Sequence, residues 1–369
     1  MINTINFFKF LKKKKINFFC GVPDSILKSF SNYLDSKKKI VSHHIVANEG
    51  GAIALAAGYN LATKKIPVVY MQNSGLGNAI NPLVSICHKK VYSIPMILLI
   101  GWRGSPNSND EPQHKVKGNI TKNLLNLVNI KHEIINHDKD FSKISKLISY
   151  SKKNSTPVAL LVKNNVFFPI TNKKKIKNKS LKRVSVLKEL LKNINNKDRL
   201  ISTTGFTSRE LYQLRMENNR QLDKGKDFYM VGGMGHTSML ALGVSLNKKD
   251  NIYCIDGDGS LLMHLGSIVT IGKFAKKNFR YILLNNNSHE SVGGQTTNSE
   301  IINFKGFASS LNFKNYYNAK NIVKLKKIFP KFVKSSGPNF LEVNIGQGTI
   351  KNLIRPKSLI EIKSKFVND

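Results

Sequence analysis

The sequence predicts an α/β protein made of two doubly wound domains, each with a parallel sheet. Three observations predict it. Short strand-like apolar runs alternate with helix-like stretches in both halves of the chain. The central runs, such as Pro95–Ile100, are apolar throughout, as strands covered on both faces are. Between the halves lies TNKKKIKNKSLKR (Thr171–Arg183), basic and without apolar periodicity, which reads as an exposed linker. A length of 369 residues leaves room for two cores of ordinary size. The expected division is therefore a first domain over 1–170, a basic linker over 171–185 and a second domain over 186–369.

The elements follow in order. Phe7–Lys15 is helix-like and leads through a short apolar stretch to the turn Gly21-Val22-Pro23-Asp24. His44–Ala47 is strand-like and enters the small-residue helix Gly50–Ala62. Strand-like Val68–Gln72 runs into a Gly-rich loop, Asn73–Asn78, and Pro157–Val162 closes the first set. In the second half Leu200–Thr203, Ile252–Ile255, Tyr281–Leu284 and Phe340–Val343 read as strands and Gly266–Ala275 as a helix. No sequence repeat relates the halves.

Composition narrows the function classes. The net charge of +37 would suit a nucleic-acid binder, which is the alternative from another class. Against it, the excess is overwhelmingly Lys spread along the whole chain, whereas phosphate forks favour Arg. No nucleic-acid partner is expected, although such a field would attract small anions. Cys20, Cys87 and Cys254 are far apart and form no CxxC pair, which argues against a zinc or iron–sulfur site and fits a reducing, cytoplasmic location. The opening residues, broken by four consecutive Lys, read as an amphipathic helix and not as a signal peptide, and no apolar run approaches a membrane span.

The chemistry begins at Asp256-Gly257-Asp258-Gly259-Ser260, directly after the strand Ile252–Ile255. Strand Tyr281–Leu284 then ends in Asn285-Asn286-Asn287. Two adjacent parallel strands would deliver Asp258 and Asn286 to one carboxyl edge, where open α/β sheets bind ligands. These residue types suit Mg²⁺ holding a diphosphate, because a hard cation takes oxygen ligands and leaves positions for phosphate. Asp258 would give a carboxylate oxygen, Asn286 an amide oxygen and Ser288 a backbone carbonyl. Gly257 and Gly259 would let the backbone approach the phosphates. The plainer reading is a pair of tight surface turns.

GDGS followed by LNN resembles the diphosphate-binding motif of thiamine-diphosphate enzymes, in the branch of pyruvate decarboxylase and acetolactate synthase. Further motifs are similar to phosphonopyruvate decarboxylases and to the related sulfopyruvate decarboxylases: GVPDS (Gly21–Ser25), NEGGAIALAAG (Asn48–Gly58), MQNSGLGNAINPL (Met71–Leu83), GWRG (Gly101–Gly104), DEPQH (Asp110–His114), TTGFTSREL (Thr203–Leu211), GGMGHTS (Gly232–Ser238) and NSHESVGGQ (Asn287–Gln295). Asn285 departs from the family pattern, where that position is often acidic.

The resemblance implies the thiamine-diphosphate-binding fold, with a pyrimidine-binding domain first, a diphosphate-binding domain second and no third domain between them. It implies thiamine diphosphate and Mg²⁺ as cofactors, with Gly257, Asp258, Gly259, Ser260 and Asn286 around the diphosphate. Glu49 would hydrogen-bond the aminopyrimidine ring, Gly232 would offer it a carbonyl, and Met234 would be the apolar residue under the bent cofactor. Asn73 and Gly75 would line the cofactor or substrate entrance. Asp24 and His114 would be acid/base groups. Arg103, Lys115 and His114 are candidates for the anionic end of the substrate, while His289 and Glu290 would act on substrate or order the metal loop. The expected reaction is decarboxylation of phosphonopyruvate to phosphonoacetaldehyde and CO₂, with sulfopyruvate decarboxylation or an acetolactate-synthase-like carboligation as alternatives. At least a homodimer is expected, with Glu49 of one subunit serving the cofactor held by the other.

Overall fold

The computed structural model describes residues 1–169, 181–217, 219 and 222–368. The chain divides into two compact units, 1–174 with 291–295 and 175–290 with 296–369. Residues 171–180 of the expected linker lie outside the described residues. Its last residues behave otherwise than expected: Leu181 and Arg183 are buried, and a helix starts at Arg183.

In the first unit the elements are α1 (Thr4–Lys13), β1 (Phe18–Gly21), α2 (Lys28–Ser36), β2 (Ser42–Ile45), α3 (Glu49–Thr63), β3 (Val68–Gln72), α4 (Leu76–Pro82), β4 (Ile97–Gly101), α5 (Pro112–Leu127), β5 (Lys131–Ile135), α6 (Phe141–Asn154) and β6 (Val158–Val162). The strands form one six-stranded sheet in the order β2-β1-β3-β4-β6-β5, and every pairing is parallel. Alternate residues serve opposite faces: Val68 and Tyr70 join one apolar cluster, Val69 and Met71 the other. Each fully covered Val or Leu contributes about 1.5–3 kcal/mol, so these central strands anchor the unit. Asn48 caps α3 by accepting the N–H groups of Gly50 and Gly51. Ala52, Ile53, Ala56 and Ala57 then pack as a low ridge, close enough for the Cys20 thiol to reach the Ala52 carbonyl at 3.4 Å. Residues Asn73–Asn78, expected as a loop, instead form a 3₁₀ turn (Asn73–Gly75) that runs into α4.

The second unit contains α7 (Arg183–Asn193), β7 (Arg199–Ser202), α8 (Phe206–Arg215), β8 (Lys226–Tyr229), α9 (Thr237–Asn247), β9 (Ile252–Gly257), α10 (Asp258–Met263), α11 (Ser267–Phe274), β10 (Phe279–Asn285), α12 (Phe304–Ser310), β11 (Asn315–Ala319), α13 (Ile322–Lys334), β12 (Asn339–Asn344) and α14 (Leu359–Val367). Its parallel sheet runs β11-β12-β10-β9-β7-β8. Read from β8, that is the strand order of the first sheet: second, first, third, fourth, sixth, fifth. Two halves without a sequence repeat thus share one topology. Ile282 and Leu284 face one cluster while Tyr281 and Leu283 face the other. No helix among the described residues is long and apolar enough to cross a membrane. The three cysteines are free and buried.

Candidate active site

In the first unit the candidate residues collect beyond the carboxyl ends of β1 to β4, where the strand order reverses and parallel sheets leave a crevice. Asp24 follows β1 and is fully buried. One oxygen accepts the N–H groups of Ile26 at 3.0 Å and Leu27 at 3.2 Å, and the other has no partner. Burial pushes its carboxyl up to about 6, and the Arg103 charge pulls weakly the other way.

Arg103 lies two residues past β4. Its Nε donates to Asp110 at 2.7 Å and its Nη2 to the other oxygen of Asp110 at 2.5 Å, while Nη1 reaches the Ser25 hydroxyl at 3.2 Å. Asp110 also accepts the N–H groups of Gly104 and Glu111, and the Arg103 fork keeps its carboxyl well below the usual range. Two of the three guanidinium nitrogens are therefore already engaged by a carboxylate of the chain itself. His114 is held down to about 4 by burial and by the Arg103 charge, and its Nδ1 is buried without a partner. It is a neutral imidazole at pH 7, and Asp24 is the carboxyl of this cluster whose value burial raises, so that it keeps its proton up to about pH 6. Lys115 is exposed on α5.

Glu49 opens α3 and is 5 % exposed. Asn78 donates its amide N–H to Glu49 Oε2 at 2.8 Å, and Lys117 is close enough to feel the carboxylate charge. Gly75 lies directly against it: a Cβ there would sit 2.4 Å from Glu49 Oε1. The absent side chain at Gly75 is room for Glu49. Asn73, expected at the entrance, is committed elsewhere. Its Nδ2 donates to the Arg103 carbonyl and to Thr121 Oγ1, both at 2.9 Å, and its Oδ1 accepts the Arg103 N–H at 3.2 Å. It pins the end of β4.

In the second unit β9 and β10 lie side by side, with Gly257 paired to Leu284. Asp258 and Asn286 consequently meet at one edge, Asp258 Oδ1 standing 3.5 Å from the Asn286 N–H. The other oxygen of Asp258 takes the Thr297 hydroxyl and lies 3.1 Å from Ser299 Oγ. Even so, burial raises the Asp258 carboxyl above its ordinary value. Asn286 Oδ1 accepts the Ser288 N–H at 3.0 Å, and the buried Ser288 hydroxyl has no partner. His289 is buried, packs its ring against Gly259, and is pushed down to about 4 by that burial. Gly257 has open space where a Cβ would stand. Gly232 and Met234 are half-buried in the turn between β8 and α9.

Ser260, on the same turn as Asp258, is buried and braces it from within. Its hydroxyl oxygen accepts Thr203 Oγ1 and the Gly235 N–H, both at 3.0 Å, and it faces the fully buried Asp256. Its hydroxyl ties three loops together inside the unit. Sequence reading missed Asn78, Asp110, Asp256, Thr297 and Ser299. Asp110 sits in a quoted motif, DEPQH, and could have been found there; Thr297 and Ser299 lie in a loop with no periodic signal.

Among the described residues no three His, Cys, Asp or Glu side chains cluster as a metal site. The edge at Asp258 is of another kind, a single carboxylate with amide and carbonyl oxygens. A buried carboxylate raised by desolvation is relieved by a cation, and oxygen donors suit a hard one. The residues therefore fit a magnesium-held diphosphate.

Comparison with known proteins agrees with this geometry. Residues 6–125 match the thiamine pyrophosphate enzyme N-terminal TPP binding domain, and residues 203–343 match the corresponding C-terminal TPP binding domain. A phosphonopyruvate decarboxylase of Streptomyces viridochromogenes is 31% identical over 355 residues, covering 91% of this chain and 87% of that protein. A sulfopyruvate decarboxylase of Methanosarcina acetivorans is 26% identical over 344 residues, covering 87% of this chain and 86% of that protein. The sulfopyruvate decarboxylase subunit beta of Methanocaldococcus jannaschii is 38% identical over 118 residues, 32% of this chain and 59% of that subunit. With both cofactor-binding domains present and a decarboxylase relative matched over most of its length, the chain belongs to the thiamine pyrophosphate enzymes and, within them, to the 2-oxo acid decarboxylases.

Proposed function

We propose that this enzyme decarboxylates phosphonopyruvate to phosphonoacetaldehyde and CO₂ with thiamine diphosphate and Mg²⁺. One observation carries the reading: an acid poised at about 6, Asp24, shares its surroundings with the Arg103 guanidinium. Losing CO₂ from a 2-oxo acid requires a proton in its place, and a second anionic group on the substrate requires a cation nearby. The similarity to phosphonopyruvate decarboxylases over nearly the whole chain supports the same choice.

The first unit, taken as residues 1–170, serves as the pyrimidine-binding domain, residues 171–185 as connection and residues 186–369 as the diphosphate-binding domain. Asp258, Asn286 and the Ser288 carbonyl would hold Mg²⁺, and Gly257 and Gly259 would leave room for the diphosphate. Glu49 would hydrogen-bond the pyrimidine ring, its carboxyl group oriented by Asn78. Gly232 and Met234 support the ring system. Thiamine diphosphate, when bound, supplies the electron sink that lets the carboxylate leave. Asp24 then delivers the proton to the carbon that lost CO₂. Neutral His114 orients the substrate by hydrogen bonding. The Nη1 edge of Arg103, with the Ser25 hydroxyl, takes the phosphonate, and Lys115 adds charge at the rim. The active form is at least a homodimer.

Sulfopyruvate is the second reading, favoured by the similarity to sulfopyruvate decarboxylases, since a sulfonate asks for nearly the same partners. Purified protein with thiamine diphosphate and Mg²⁺ should release CO₂ fastest from phosphonopyruvate. Faster release from sulfopyruvate or pyruvate, or a coupled acetolactate-type product, overturns the assignment.

A further inference from the structure

The loop that carries Asn286 is braced from behind by a buried ionic chain that the proposed reaction leaves unused. Glu290 Oε2 accepts Asn286 Nδ2 at 3.0 Å and Arg183 Nη2 at 2.6 Å. Its other oxygen accepts the Gly348 N–H, at a position where φ is +120° and a side chain would be strained. Arg183 is 5 % exposed and its Nη1 donates to Glu210 Oε1 at 3.3 Å. Glu210, on α8, also takes the Thr349 hydroxyl at 2.7 Å, and the Arg183 guanidinium lies 5.6 Å from the centre of the Phe206 ring. Four segments distant in sequence thus converge on the Arg183–Glu290 pair behind the loop.

The chemistry of that carboxylate decides how Asn286 faces. A carboxylate only accepts hydrogen bonds, so the edge of Asn286 turned toward Glu290 has to be its NH₂. The amide oxygen is left on the other side, where the Ser288 N–H uses one lone pair and the second stays free. An amide without such a partner can turn over and offer hydrogens to a cation in place of an oxygen. We propose that Glu290 is a positioning residue for the metal site: anchored by Arg183 and Gly348, it fixes the Asn286 amide with its oxygen toward the divalent cation. The inference rests on the reading that Asp258 and Asn286 hold a magnesium–diphosphate. Outer partners of this kind alter metal affinity because they hold the ligand's orientation.

The test is calorimetric titration of Mg²⁺ and of Mn²⁺ into the full-length protein with thiamine diphosphate present, for wild type, Glu290→Gln, Asn286→Ala and the double variant. Glu290→Gln keeps shape but lets the neighbouring amide turn. It should weaken cation binding roughly 10- to 100-fold. High Mg²⁺ should restore thiamine diphosphate binding. The melting temperature of the cofactor-free variant, measured alongside, shows that the loss is not unfolding. Because Glu290 acts through Asn286, the double variant should bind no more weakly than Asn286→Ala alone. Unchanged affinity in Glu290→Gln, or additive losses in the double variant, overturns the proposal while the metal reading stands. Wild type that binds thiamine diphosphate without any divalent-cation dependence overturns both.

Discussion

Asn73 Oδ1 accepts the backbone N–H of Arg103 at 3.2 Å. Asp258 Oδ1 stands to the Asn286 N–H in the same way at 3.5 Å. The register makes the two pairs equivalent: Gln72 pairs with Gly101, and Gly257 with Leu284. In each unit the acceptor is the first residue past the third strand, and the donor lies two residues beyond the register partner of that strand's last residue. One cradle carries a carboxylate and an amide suited to a cation. The other carries an amide and a guanidinium.

That substitution predicts stability changes of opposite sign. Asn73→Asp sets a carboxylate oxygen against the Arg103 carbonyl, where Nδ2 now donates, and should destabilise by about 2–3 kcal/mol in urea melts. Asp258→Asn removes a desolvated charge while keeping an acceptor for Thr297. It should raise the urea midpoint of the cofactor-free protein and abolish Mg²⁺-dependent thiamine diphosphate binding.

Asp24 sets a pH dependence. Its folded value of about 6 lies above the ordinary 3.8, so the native state holds an extra proton between these limits. Stability is therefore greater on the acid side and falls as pH climbs from about 4 to about 6, by about 3 kcal/mol in all. Asp24→Asn should remove that slope, read as the difference between the two proteins across the window. Turnover should fall sharply in the same variant, and in wild type kcat/KM should decline above about pH 6 as the donor loses its proton.

Gly75→Ala should disturb Glu49 without touching it in sequence. The new Cβ would stand 2.4 Å from Glu49 Oε1, so the carboxylate has to move. Turnover should drop roughly 100-fold, as misplacement by about an ångström does, with thiamine diphosphate still bound. Glu49→Gln should abolish turnover and likewise leave cofactor binding measurable. Loss of cofactor in either variant would count against the proposed role of Glu49.

Arg103→Lys separates substrate recognition from chemistry. A lysine cannot reproduce the fork on Asp110 and still reach Ser25. KM for phosphonopyruvate should rise by about 10-fold or more, with a smaller change for pyruvate, which has no second anionic group. Equal changes for both substrates would mean that Arg103 only braces its loop.

What the sequence determined by itself was the central strands and the residues at their carboxyl ends. Val68–Gln72, Ile97–Gly101, Ile252–Gly257 and Phe279–Asn285 are covered on both faces, so their apolar runs are visible without a structure. Asp258 and Asn286 were legible because each directly follows such a run. Of the strands not named from the sequence, β1 was visible only as a short apolar stretch, while β5, β8 and β11 are sheet edges whose half-exposed residues mix Lys, Asp and Asn among the apolar ones. Tertiary structure alone decided the matching strand order of the two halves, since topology depends on which runs pair and not on their composition. It also decided the work of Asn73, Ser260, Asp110 and Arg183. A polar side chain buried in a fold takes whatever donors and acceptors the neighbouring segments bring, and those neighbours lie 30, 25, 7 and 107 residues away.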